Sequence, residues 1–285
     1  MGNPWAGAEG FEPSGVLRPL VFKTSAFVRS AMPPRHVWWD YTISGGIHLP
    51  VEMLVWSGCD VVVGSRVTRV KRLREPVSGL THLAGALLAL VALGVLLVGA
   101  AGEGRLDQFV AFGIFGCSLV ALYAASALYH LLPVSPPAVA RLRRLDHMAI
   151  FILIAGTYTP ICVLALEGGW RFGLLGVVWA LAFCGVVLKL LWMDAPRWLS
   201  VGLYLAMGWV AVVAVSAILK AVPPGGIAWI LGGGLVYSAG AVIYGLKWPD
   251  IRPGVFGFHE LWHLFVLAGS ACHFWAMLRY ISLLA

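Results

Sequence analysis

The sequence predicts an all-α, polytopic membrane protein: a bundle of seven transmembrane helices, N-terminus cytoplasmic and C-terminus outside. Three observations predict it. Of 285 residues, 60% are hydrophobic and 12% charged, against roughly 45–50% and 25% in soluble domains. Mean hydropathy is +0.87, and the apolar residues arrive in runs instead of alternating. From Glu75 onward, seven runs of about 20 residues follow one another, each long enough to cross a hydrocarbon core as a helix. A soluble enzyme cannot hide so much apolar surface, and disordered and disulfide-scaffold classes are excluded too.

Residues 1–70 read as a poorly ordered N-terminal extension, mixing Pro, Gly, Trp and isolated charges without helical or strand periodicity. The longest apolar piece, 53–63, contains Asp60 and is too short to span a bilayer. A polar, Pro-containing stretch precedes it, which is not the basic start of a signal peptide. An alternative expectation is that part of this extension is translated upstream DNA, with the natural start near Met53 or within 61–70. The membrane domain takes 75–285, with runs at 77–100, 109–132, 147–166, 170–191, 199–219, 227–246 and 256–284. The connections are short and leave no room for a further domain.

Loop charge sets the orientation. Arg66, Arg69, Lys71, Arg72 and Arg74 precede the first run, and Arg141, Arg143 and Arg144 follow the second. Lys189 and Arg197 flank the fourth-to-fifth loop, and Lys247 and Arg252 follow the sixth. The opposite loops carry only Arg105, Arg171 and Lys220. The net charge of +7 is thus a topology signal, so membrane lipids and not nucleic acid are the expected partners. Cys59, Cys117, Cys162, Cys184 and Cys272 form no CxxC pair and read as apolar packing residues. Oligomeric state is not legible. A plasma-membrane location, in a bacterium by the Ala/Gly/Val/Leu-rich usage, follows.

The ionisable residues gather at one depth. With about 1.5 Å of rise per residue, His130 falls at the cytoplasmic end of the second run, with Ser126 one turn deeper. Asp146 and His147 fall in the first turn of the third; His259, Glu260 and His263 fall in the first two turns of the seventh; His82 lies near the same end of the first. Polar groups inside a membrane are costly and usually functional. In HELWH (259–263) the histidines at i and i+4 share a helix face and can bite one metal ion. The plainer alternative is two interfacial histidines facing headgroups. Ser126 and His130 repeat the spacing; a satisfied polar pair between helices is the default there. Asp146 alone reads as a helix-start carboxylate or a partner of the RLRR run. Together His130, His259 and His263 supply three imidazoles, the donor count of a catalytic zinc site with one open position.

The segments REPVSGLTH, SALYHLL, RLDHMAIFILIAGTYTP and HELWHLFVLAGSACHF resemble the hemolysin III family, in the superfamily of the adiponectin and progestin receptors and the alkaline ceramidases. The resemblance covers about Glu75 to the C-terminus. It implies a seven-helix bundle with intramembrane zinc near the cytoplasmic leaflet, held by His130, His259 and His263, with Asp146 reaching it through water and Ser126 nearby. The chain departs from the receptors at Glu260, where they carry a glutamine-type residue, and at His147 after Asp146. Glu260 is turned about 100° from the histidine pair and reads as an N-terminal helix carboxylate. His82 and His147 read as interface residues, with a position behind the ligands as the alternative. His273, about 15 Å above His263, reads as a packing residue with a helix hydrogen bond. The run 156–160 reads as a Pro-induced bend with close helix approach.

Two functions of different class are expected. The first is zinc-dependent hydrolysis of a lipid amide or ester, with Asp146 managing the proton and Ser126 stabilising the oxyanion. The second is a non-catalytic receptor, regulator or cytolysin-type protein in which zinc holds helices together. HELWH also matches the HExxH metalloprotease pattern, but no Asp-Gly ligand motif lies in another run.

Overall fold

The computed structural model describes residues 35–43, 47–55 and 73–284. The chain divides into two compact units, Met1–Val70 and Lys71–Ala285. In the first unit, strands β1 (Arg35–Ile43) and β2 (Ile47–Val55) pair antiparallel, with Arg35 opposite Val55 and Ile43 opposite Ile47. The hairpin departs from the expectation of a stretch without strand periodicity. The overlooked signal is short: two stretches rich in Val, Trp, Tyr and Ile flank Ser44-Gly45-Gly46, and Gly-Gly favours hairpin turns. The rest of the expected 1–70 extension lies outside the described residues.

The second unit is helical, with seven helices long and apolar enough to cross a membrane. They are Pro76–Gly102, Leu106–Leu131, Pro136–Ala165, Gly168–Leu191, Arg197–Ala221, Pro224–Leu246 and Phe258–Ile281. The first, third and sixth start on proline, whose fixed φ suits a first helical turn and whose missing N–H is no loss there. One expected boundary is corrected. The third helix begins at Pro136, not near 147, because the Pro136-Pro137 start nucleates a helical turn through the basic RLRR stretch before the apolar run. Asp146 and His147 therefore sit about 15 Å along that helix and not in its first turn.

The third helix is the axis of the bundle. In its apolar window 67% of residues are buried, against 22–28% in the first, fourth, fifth and sixth. One face, with Leu153, Ile161 and Leu164, meets Phe112, Phe115 and Leu119 of the second helix. The other, with Phe151, Ala155 and Tyr158, meets Val178 and Ala182 of the fourth and Tyr204 and Met207 of the fifth. Lipid is as apolar as these side chains, so association rests on close packing and buried hydrogen bonds. Gly116 lets the second helix approach Leu93 of the first. A Cβ there would meet Leu93 Cδ1 at 2.5 Å and its Cα at 3.2 Å. Gly116→Val is expected to destabilise the bundle by about 1–3 kcal/mol, read as a lower melting temperature in detergent. An unchanged melting temperature would show that this approach carries no packing constraint.

Two helices break where neighbours can satisfy the freed backbone. The third passes at Pro160 into a π-helical turn, Ile161–Ala165, and Gly156 beneath it packs against Ser118, as the bend and close approach expected at 156–160 require. The fifth narrows to a 3-10 stretch, Trp209–Ala214. Tyr158 bridges that break: its hydroxyl donates to Gly208 O at 2.6 Å and accepts from Ala211 N–H at 2.9 Å. Backbone groups left open within a membrane need such a partner. Between the third, fifth, sixth and seventh helices lies a cavity of about 540 Å³, lined mostly by apolar side chains and reaching Asp146, His259 and His263.

Candidate metal centre

At the end where the first helix starts and the second stops, three imidazoles converge. The ligand nitrogens of His130, His259 and His263 all lie within 4.8 Å of one another. His130 closes the second helix and is 1% exposed; His263, two turns into the seventh, is 2% exposed. His263 is therefore no histidine facing headgroups, while His259 is half-buried.

The partners of the rings decide their tautomers. His130 Nδ1 lies 2.5 Å from Glu75 Oε2, and an ionised carboxylate only accepts, so Nδ1 carries the proton. His263 Nδ1 lies 3.1 Å from Ser78 O, and a carbonyl likewise only accepts. In the neutral form each ring keeps its Nε2 lone pair free for a metal. His130 Nε2 is 3.4 Å from His259 Nε2, so ring nitrogens from two helices face one small volume. Neutral imidazoles oriented by a carboxylate and a carbonyl behind them are the donor set of a metal site. The residues fit a zinc-sized cation of open coordination.

Glu75 and Ser78 were not singled out in the sequence, although both lie in the REPVSGLTH segment. With His82 they recur at i, i+3 and i+7, one face of the first helix, and that periodicity was the available signal. The hydrogen bond from His130 holds the Glu75 carboxyl below its ordinary range, outweighing the opposing effect of burial. The interaction is complete above the usual carboxylate pKa and is lost as pH falls through the depressed value. Glu75→Gln is expected to weaken metal binding by about 10- to 100-fold, measured by competition with a chelating dye. Unchanged affinity would show that Glu75 does not orient His130.

The other predicted residues fall into place around this cluster. Asp146, Ser126, His259 and His263 line the same cavity, with Asp146 outside the three-nitrogen cluster. Ser126 is buried with its hydroxyl facing Asp146 across the second and third helices, and forms no pair with His130, whose Nδ1 goes to Glu75. Glu260 accepts from Gly257 N–H at 2.8 Å and from Ser78 Oγ at 2.8 Å. It caps the seventh helix as expected and ties it to the first; with both oxygens engaged it is not poised as the base of an HExxH protease.

His82 is corrected. It is 3% exposed and stacks on His263, ring centroids 3.7 Å apart, so it packs behind the histidine cluster instead of lying at an interface. Gly85, a turn away, lets Tyr123 come close to that helix. His147 points its Nδ1 to Arg143 O of its own helix, 2.9 Å away. His273 stacks on Tyr237 as a packing residue, but the expected helix hydrogen bond does not form: its Nδ1 is buried without a partner among the described residues.

A seven-helix, multi-pass membrane protein with a three-histidine site at one end of the bundle is the class these features define. A family model described as "Haemolysin-III related" matches residues 70–274. The chain is 36% identical over 208 residues to Hemolysin-3 of Bacillus cereus, covering 73% of this chain and 91% of that one. It is 38% identical over 206 residues to the Hemolysin-3 homolog of Bacillus subtilis (strain 168), covering 72% and 93%. Over 175 residues it is 27% identical to the monocyte to macrophage differentiation factor of Homo sapiens, covering 59% and 69%. The chain belongs to the hemolysin III family.

Proposed function

We propose that this protein is a zinc-dependent hydrolase of a lipid amide or ester, working in the bacterial inner membrane with the three-histidine end toward the cytoplasm. The observation that carries the reading is a cluster of three imidazoles beside an apolar cavity that His259 and His263 line together with Asp146 and Ser126. Zinc bound by His130, His259 and His263 would supply Lewis acidity and a water acidified toward neutral pH. The apolar walls hold the acyl chain and exclude bulk water. Asp146 takes the proton of the attacking water, and the Ser126 hydroxyl donates to the carbonyl oxygen as it gains charge. The C–N or C–O bond then breaks, and the proton held by Asp146 passes to the departing amine or alcohol.

A second reading has its own support. The three nitrogens join the second and seventh helices, and Glu75, Ser78 and His82 back them from the first. Zinc there would staple three helices of a receptor, a regulator or, as the names of the Bacillus relatives suggest, a cytolysin. Incubating purified protein with acyl-amide and acyl-ester lipids separates the readings. The hydrolase releases fatty acid, stops when zinc is chelated and resumes when zinc is restored. A protein that binds zinc and hydrolyses none of these lipids is the helix-stapled one.

A further inference from the structure

Lys189 ends the fourth helix with its side chain 1% exposed, turned inward instead of snorkelling to the surface. Its ammonium donates to Ser200 Oγ of the fifth helix at 2.6 Å. Among the described residues that is its only acceptor, so two of its three N–H bonds are unspent. The Asp194 carboxylate, which also lines the cavity, pairs with Arg143 through Oδ1 at 3.1 Å and makes no ion pair with Lys189 among the described residues. A buried ammonium whose one hydrogen-bond partner is a hydroxyl stays charged at a cost that an anion brought to it would offset. Lys189 and Ser200 both line the large cavity. Arg197 lines it too; held over the Tyr244 ring at 4.7 Å, it forms no ion pair among the described residues. Below them the walls turn apolar, with Leu153, Ile154 and Val212.

We propose that Lys189, with Ser200 and Arg197, seats the anionic headgroup, phosphate or carboxylate, of a single-chain lipid whose tail occupies the apolar cavity. The proposal rests on the hydrolase reading only in making this lipid a substrate; binding stands apart from turnover. The ammonium supplies the charge, the serine hydroxyl a further donor, and the cavity of about 540 Å³ the room for the chain.

The test is equilibrium binding of hexadecylphosphonate, palmitate, hexadecanol and inorganic phosphate to the purified protein in nonionic detergent. Wild type is expected to bind the two anionic chains at least about tenfold more tightly than hexadecanol, as a charge-assisted hydrogen bond implies. K189M, which keeps the length and removes the charge, is expected to erase that preference and leave hexadecanol binding unchanged. H259A is expected to keep the preference. A wild type without the preference, or K189M retaining it, overturns the proposal whether or not lipids are hydrolysed. Loss of the preference in H259A places the anion at the histidines and overturns it as well. Inorganic phosphate bound as tightly as the phosphonate makes this a free-anion site and overturns the lipid assignment.

Discussion

Asp146→Asn is expected to lower lipid hydrolysis by about 10²–10⁴-fold, the span of a positioned acid–base group, while bound zinc stays unchanged. The two halves of that result follow from one geometry. Asp146 lines the cavity with His259 and His263 yet stands outside the cluster of ligand nitrogens. Removing its charge therefore leaves the metal's donors intact and removes the group that accepts the proton. Asparagine keeps the size and a hydrogen-bonding oxygen, so packing does not confound the comparison. Wild-type rates in the variant would remove Asp146 from the reaction. Loss of zinc together with activity would make it a determinant of the metal site.

The second large effect is at His263. His263→Ala is expected to reduce bound zinc to under about a tenth of the wild-type content and to abolish the rise in melting temperature that added zinc gives the wild type, since a ligand stabilises only a fold that binds it. His263 supplies one of three nitrogens, donates to Ser78 O at 3.1 Å and carries His82 stacked against it. Its removal takes a ligand, leaves a two-donor site and opens space behind it. His273→Ala is the control. That ring is buried higher in the same helix, outside the cluster, and its removal is expected to leave zinc unchanged. If both variants keep full zinc content, His263 is not a ligand.

The helices and the paired histidines of the last one were legible because each rests on a strong periodic signal. Seven apolar runs and two histidines at i and i+4 declare themselves without tertiary information. What supports the ligands was not. Glu75 reads as one more charge in a basic, proline-flanked entry, and only the 2.5 Å approach of His130, 55 residues away in sequence, gives it a role. His82 is indistinguishable from an interface histidine until His263 is found stacked on it. The early start of the third helix escaped a hydropathy reading because its first turns are basic and amphipathic. The hairpin escaped for the converse reason, being two nine-residue strands beside far longer apolar runs.

The central claim is that three histidines from two helices hold one zinc ion. Elemental analysis of the detergent-purified protein, beside His259→Ala, tests it most directly. About one zinc per wild-type chain and essentially none in the variant is the expected result. Zinc absent from the wild type after purification in its presence, or equal in both proteins, contradicts the site and the hydrolase built on it.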